Sequence, residues 1–354
     1  MPHSWRFGAL VAASIVLLGA APAQADPPTS RFTEVDQVSD QAGHAKLTDT
    51  NLVNAWGLAL GPTTPLWVAN NGTSTATVYT GGLGGAAVGK AALTVTNDSD
   101  APTGQVFNGS GDFVVTTPTG SAPARFIFDS ESGDVTAWAS AATGTHAVVV
   151  AHVPGAVFKG LALWQTPLGQ FLLAADFATG RVDVFDRTFT QVDLAGALFN
   201  DPRLPNGYAP FDVLATGDHV FVTYAKQQAG SADEQHGPGL GIVDEYTNLG
   251  TKVQRIASHG PLNAPWGLAI APTGFGRFAG DLLVGNFGDG RISVFHGDHF
   301  VGQLRSPNNQ VLSIDGLWGL LPGTATSGGV GTLWFSAGPN DENDGLLGQL
   351  IPTS

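Results

Sequence analysis

The sequence predicts an all-β fold of six similar units set round an axis, and three observations carry that reading. Trp-Gly-Leu recurs at Trp56–Leu58, Trp266–Leu268 and Trp318–Leu320, each followed by a Pro, Gly or Thr turn and a short apolar run. Weaker copies begin at Pro102, Phe158 and Pro210, giving six units spaced roughly 50 residues apart. Gly is abundant (48 residues), while charged residues make up only 12%. Short strands joined by tight turns suit that composition better than helices do.

Each unit has the same order of elements. A short apolar strand (Gly57–Leu60, Gly267–Ile270) leads into a turn, then an almost continuously apolar strand (Leu66–Ala69, Leu172–Ala175, Leu282–Val284). A Gly-bearing hairpin and an alternating strand follow, as in "RVDVF" at Arg181 and "RISVF" at Arg291, whose period of two marks a half-buried strand. Four strands in a unit of this length, buried inside and amphipathic outside, describe the blade of a β-propeller. The last unit has strands near Trp318–Leu321, Leu333–Ser336 and Gly345–Ile351, and lacks its outer one. The strand-like segment Arg31–Ser39 is unclaimed, so the sequence predicts a six-bladed β-propeller closed by that N-terminal strand on the last blade, which removes an exposed sheet edge.

The start of the chain reads as an export signal. Arg6 precedes the apolar run Ala9–Ala21, and Ala23-Gln24-Ala25 precedes Asp26, so residues 1–25 are expected to be cleaved and 26–354 to form a single domain. The expected location is periplasmic or secreted, with no transmembrane segment after cleavage. The chain has no cysteine, which excludes disulfides, thiol nucleophiles and Cys-zinc sites together. Its formal net charge of −14 argues against nucleic acid or an anionic membrane as partner.

The motifs "DTNLVNAWGLA", "LWVANNGTSTATVYTG", "PTGQVFNG", "GPLNAPWGLAIAP", "DLLVGNFGDGRISVF" and "SAGPNDENDGLLGQL" occur in order over nearly the whole mature chain. In them the sequence resembles a family of exported bacterial proteins expected to be NHL-type or lactonase-like propellers of uncharacterised function. That resemblance implies the propeller and the export, and it supplies no catalytic residues.

Asn and Asp recur at equivalent places. Asn54 and Asn263 precede the first strands of their units, with Asp315 near the same place in the last, while Asn70, Asp176 and Asn286 close second strands and Asn340 lies close by. By strand direction these residues face one channel mouth, where they are the candidate ligand-binding set. Asn70, Asp176, Asn286 and Asp315 are the candidate metal ligands, since hard oxygen donors suit Ca²⁺ or another divalent cation and the lactonase-like resemblance implies such an ion there. The alternative is that Asn and Asp simply bond to their own backbone at strand ends. His259 is the one histidine expected near that mouth. Trp56, Trp266 and Trp318 read as packing between units, or as an aromatic platform for a ligand.

Three stretches stand apart. "GPNDENDG" (Gly338–Gly345) is densely acidic but lacks calcium-loop spacing. "GGAAVGKA" (Gly84–Ala91) nearly spells a phosphate-binding loop, but Ala91 stands where a hydroxyl is needed, so it reads as a loop. "YAKQQAGSADEQHGPG" (Tyr224–Gly239) is a long insertion carrying Lys226, Asp233, Glu234 and His236, either a binding loop or decoration. No H-E-x-x-H or G-x-S-x-G motif occurs. The leading expectation is therefore a propeller binding an extracellular or envelope ligand at the loop-ringed mouth. The alternative is a divalent-metal-assisted hydrolase, lactonase-like, with its site in the central channel.

Overall fold

The computed structural model describes residues 30–193 and 197–353. The expected export signal, residues 1–25, lies outside them. The six predicted units each form antiparallel strands, with innermost strands Ala55–Ala59, Pro102–Phe107, Phe158–Thr166, Tyr208–Thr216, Pro265–Ile270 and Leu317–Pro322. Each innermost strand lies beside the next, and the last lies beside the first, so the sheets close into a nearly complete ring. The units starting at Ala55 and Pro102 also share a parallel contact between outer strands, His146 opposite Thr96 and Ala147 opposite Asn97.

The N-terminal strand Arg31–Ser39 runs antiparallel to Leu346–Thr353, from Arg31 opposite Thr353 to Ser39 opposite Leu346. It supplies the outer strand that the final unit lacks. Phe32 anchors it, fully buried against Phe275 (ring centroids 4.7 Å apart) and donating its backbone N–H to the Arg305 carbonyl. Burying one such ring contributes about 1.5–3 kcal/mol.

The six innermost strands share a device that shapes the axis. Every one carries a bulge at the same place, as between Ala55 and Leu58, Pro210 and Asp212, or Pro265 and Leu268. An extra residue there re-aims the following side chains. Directly after the bulge's first residue come Trp56, Thr103, Lys159, Phe211, Trp266 and Trp318. The next position is Gly57, Gly104, Gly160, Gly267 and Gly319, and Asp212 in the remaining unit. The glycines are required by proximity: a Cβ on Gly57 would lie 2.5 Å from the Thr103 carbonyl of the next unit, and one on Gly267 2.5 Å from that of Trp318.

The alternating strands are buried more completely than their sequences indicate. Ser293 is fully buried and Asp183 nearly so, although both belong to the polar face of "RISVF" and "RVDVF". The reason is radial packing, which covers both faces of a sheet with neighbouring units. Asp183 is accommodated by the Arg181 guanidinium at 2.5 Å. "GGAAVGKA" also departs from the loop expected of it: Val88–Asn97 is an outer strand, and Lys90 pairs with buried Asp49 at 2.6 Å.

Candidate functional site

The ring of side chains just above the glycines plugs the axis. Trp318 stacks on Trp56 (3.5 Å between centroids) and on Phe287 (3.8 Å), while Trp266 meets both tryptophans edge-on at 5.8 and 5.7 Å. Phe177 and Phe211 complete this buried cluster. The three tryptophans therefore pack against one another across the axis, a tighter convergence than one wedge per interface.

Above the plug lies a polar network assembled from loops of several units. Asn54 is its hinge: its Oδ1 accepts both the Trp56 and Trp318 indole N–H groups, at 2.9 and 3.0 Å. Its amide donates to Glu342 Oε2 at 2.6 Å and to Asn71 Oδ1 at 3.2 Å. Asn71 in turn donates to Glu131 Oε2 at 3.2 Å. Lys159, 2% exposed, donates to Glu131 Oε1 at 2.5 Å and lies 4.0 Å from Asp233. Its ammonium also sits over the rings of Trp56 (5.4 Å) and Phe177 (5.9 Å), a cation–π arrangement favoured when desolvated.

Several backbone positions at this mouth are left-handed. Asn54 has φ +48°, and Asn340, Asp341 and Glu342 have +59°, +51° and +65° in succession. Such conformations cost about 1–3 kcal/mol each and concentrate where function demands them. Glu342 owes its approach to Asn54 to that turn.

The charges at the mouth are unevenly matched. Burial pulls the Lys159 pKa down, but Glu131, Glu234 and Asp233 outweigh it and hold the ammonium above the ordinary lysine value. Burial pushes the Glu342 carboxyl up despite the Asn54 hydrogen bond, with Glu234 and Glu131 adding repulsion. The hydrogen bond to Glu234 raises His236 against its partial burial. Four carboxyls thus face one ammonium and one imidazole.

The sequence-predicted residues are distributed differently. Asn54 lies at the centre of the network. Asn263 is beside it, accepting the Gly237 N–H at 2.7 Å and so tying the long insertion to the neighbouring unit. The residue equivalent to Asn54 in that unit is Ala264 (φ +45°), because "NAPW" has one residue more than "NAW". Asn70 donates to Thr75 and Thr77, and Asn286 to the Pro261 carbonyl. Asp176 accepts the N–H groups of Val157, Ala178 and Thr179. Asp315 accepts the Asn340 N–H at 3.0 Å, both residues being exposed. His259 is exposed and contacts the Gly239 carbonyl at 3.0 Å.

Among the described residues no group of three or more His, Asp or Glu side chains is placed to hold a metal ion. The mouth's own donor set is organised round an ammonium, with Glu131 bonded directly to Lys159. These residues do not fit a resident divalent ion. Lys159, Glu131 and Asn71 escaped sequence reasoning, although Lys159 stands out once "FKGLAL" is aligned on Trp-Gly-Leu, and Glu342 belongs to the acidic stretch Gly338–Gly345. The insertion residues Asp233, Glu234 and His236 were visible as a polar set.

The fold defines a class, an all-β protein with lactonase- and lyase-like propeller neighbours. The structure resembles that described as a streptogramin B lyase structure with a TM-score of 0.50 at 10% identity, covering 92% of this chain and 98% of that one. The periplasmic gluconolactonase PpgL of Pseudomonas aeruginosa matches with a TM-score of 0.50 at 15% identity, covering 92% and 99%. At such identities the likeness is one of fold. The chain belongs to one family with two uncharacterised proteins of Acanthamoeba polyphaga mimivirus. Protein R648 is 32% identical over 327 residues (88% of this chain, 78% of R648), and L690 is 30% identical over 318 residues (86% and 81%). These relatives are viral, whereas the motif resemblance pointed to bacterial proteins. No protein-family model matches the chain.

Proposed function

We propose that the six units are the blades of a six-bladed propeller, closed by Arg31–Ser39, that binds a small hydroxyl-rich ligand at the polar mouth. The observation that carries this reading is the excess of acceptors there. Glu131, Asp233, Glu234 and Glu342 come from three units and face a single buried ammonium, above an aromatic floor that includes Phe287 and Trp318. Carboxylates with an aromatic face suit a neutral sugar or sugar lactone, which offers many O–H donors and an apolar C–H face. The gluconolactonase neighbour makes sugar lactones the first compounds to try, with the anionic gluconate as the contrast expected to bind least. The metal-assisted alternative would require Lys159 to leave Glu131.

Glucose, gluconate and glucono-δ-lactone, each at 10 mM, would be tested by thermal shift and tryptophan fluorescence on the purified chain. At least one is expected to raise the melting temperature, and Glu131→Gln with His236→Ala is expected to abolish the rise. No shift with any of them would overturn the hydroxyl-rich reading.

We further propose that the protein is exported. The support is the sequence pattern of residues 1–25. N-terminal sequencing of the expressed protein should begin at Asp26, and an intact Met1 on exported material would oppose the cleavage.

A further inference from the structure

Below the tryptophan plug the axis opens again, on the side away from the polar mouth. A cavity of about 390 Å³ runs down the six innermost strands, with Trp266 among its walls. Ligand sites commonly span about 300–1,000 Å³. The plug is closed, since Trp56, Trp266, Trp318, Phe211, Thr103 and Lys159 are all buried. The far ends of the strands, at Leu60, Leu163, Ile270 and Pro322, are half-exposed, so the bore has one entrance.

Its walls are aliphatic, including Leu58, Leu161, Leu268 and Leu320, with one acid among them. Asp212 lines the bore, is 8% exposed, and occupies the position that is glycine in the other five units. Among the described residues its carboxyl receives one hydrogen bond, from the adjacent Val213 N–H. A second acid, Asp129, lies in the unit that begins at Pro102, fully buried; one of its oxygens accepts from Thr103 and the Gly104 N–H, and the other has no partner among the described residues. No cation pairs with either acid among the described residues. A buried carboxyl without a counter-charge is costly, and a glycine would have fitted the fold.

We propose that the bore is a second binding site, independent of the polar mouth, for a small apolar cation whose single ammonium group pairs with Asp212 while its hydrocarbon body fills the aliphatic barrel. Burial, with the charge of Asp129 adding to it, holds the free Asp212 carboxyl well above the ordinary range. An entering ammonium supplies the counter-charge that Asp212 lacks, giving a carboxylate–ammonium pair. No covalent bond changes.

The test is calorimetric titration of the full chain with n-heptylammonium and, separately, n-heptanol, at pH 7. Heptylammonium is expected to bind one to one and at least tenfold more tightly than heptanol. Asp212→Asn should weaken heptylammonium at least tenfold and leave heptanol unchanged. Leu268→Trp, which fills the bore from its apolar side, should weaken both. Equal binding of amine and alcohol to the parent chain would overturn the cation reading, as would an amine affinity untouched by Asp212→Asn. Absence of binding by either compound at millimolar concentration would overturn the site itself.

Discussion

Replacing Asn54 by Ala tests how the ring is held at its seam. Asn54 sits in the first unit but accepts from Trp318 of the last and donates to Glu342 of the last, besides serving Trp56 of its own. Both indoles are 1% exposed, so water cannot replace the lost acceptor. Each stranded N–H costs about 1–3 kcal/mol. The left-handed backbone at residue 54 adds about 1–2 kcal/mol for a residue with a Cβ and no local hydrogen bond. Asn54→Ala should therefore lose about 3–8 kcal/mol, a large share of the about 5–15 kcal/mol that holds a typical domain. Asn54→Gly should recover about 1 kcal/mol of that, since glycine accepts the backbone without strain. Asn54→Asp retains the acceptor oxygen and should lose less than Ala, with its deficit growing as pH rises and its charge meets that of Glu342. Urea unfolding followed by tryptophan fluorescence measures all three, with an unchanged m-value as the control for a common unfolded state. A loss under 1 kcal/mol for Asn54→Ala would refute the reasoning, because two buried donors would then have been stranded without cost.

Two further outcomes follow from buried charge. Glu34, on the closing strand, has its carboxyl pushed up to about 7 by burial and by Asp36. An acid raised on folding binds its proton more tightly when folded, so stability falls as pH rises from about 4.5 through 7. Partial exposure reduces the effect to about 1–2 kcal/mol. Glu34→Gln should flatten that slope and be the more stable chain at pH 8, measured as urea midpoints across pH 4.5–8; equal midpoints at pH 8 would count against it. Lys159→Met should destabilise by about 3–5 kcal/mol, because Glu131 loses its buried partner, and adding Glu131→Gln should restore much of the loss. If the double variant is no better than the single one in the same assay, the pair is not what Lys159 contributes.

Much of the ring was legible in the sequence because radial packing repeats a local rule. Trp-Gly-Leu marks an innermost strand since glycine alone lets the next unit approach, and the orphan strand Arg31–Ser39 was identifiable because the last unit was one strand short. Register was less legible. A single extra residue in "NAPW" shifts Asn263 off the position of Asn54, and no strand periodicity reports such a slip in a loop. Polar residues on alternating strands gave a misleading exposure, since Ser293 and Asp183 lie between units rather than in water. The site was the least legible part. Glu131, Asp233, Glu234 and Glu342 come from loops of unequal length and meet only through closure, while Lys159 and Asp212 are exceptions within a repeat. The repeat makes such exceptions conspicuous once every unit is aligned on its bulge.

The seam can be probed directly because the parent chain has no cysteine. Thr33 and Ile351 are opposed across the closing strands, and directly paired antiparallel residues sit about 4.5–5.5 Å apart at Cα, within disulfide range. Thr33→Cys with Ile351→Cys should oxidise in air to a disulfide that leaves no titratable thiol and speeds migration on a non-reducing gel. Thr33→Cys with Leu168→Cys, where Leu168 is highly exposed in the unit that begins at Phe158, should stay reduced. Free thiols in the first pair, or equal oxidation of both pairs, would contradict a ring sealed by its own N-terminal strand.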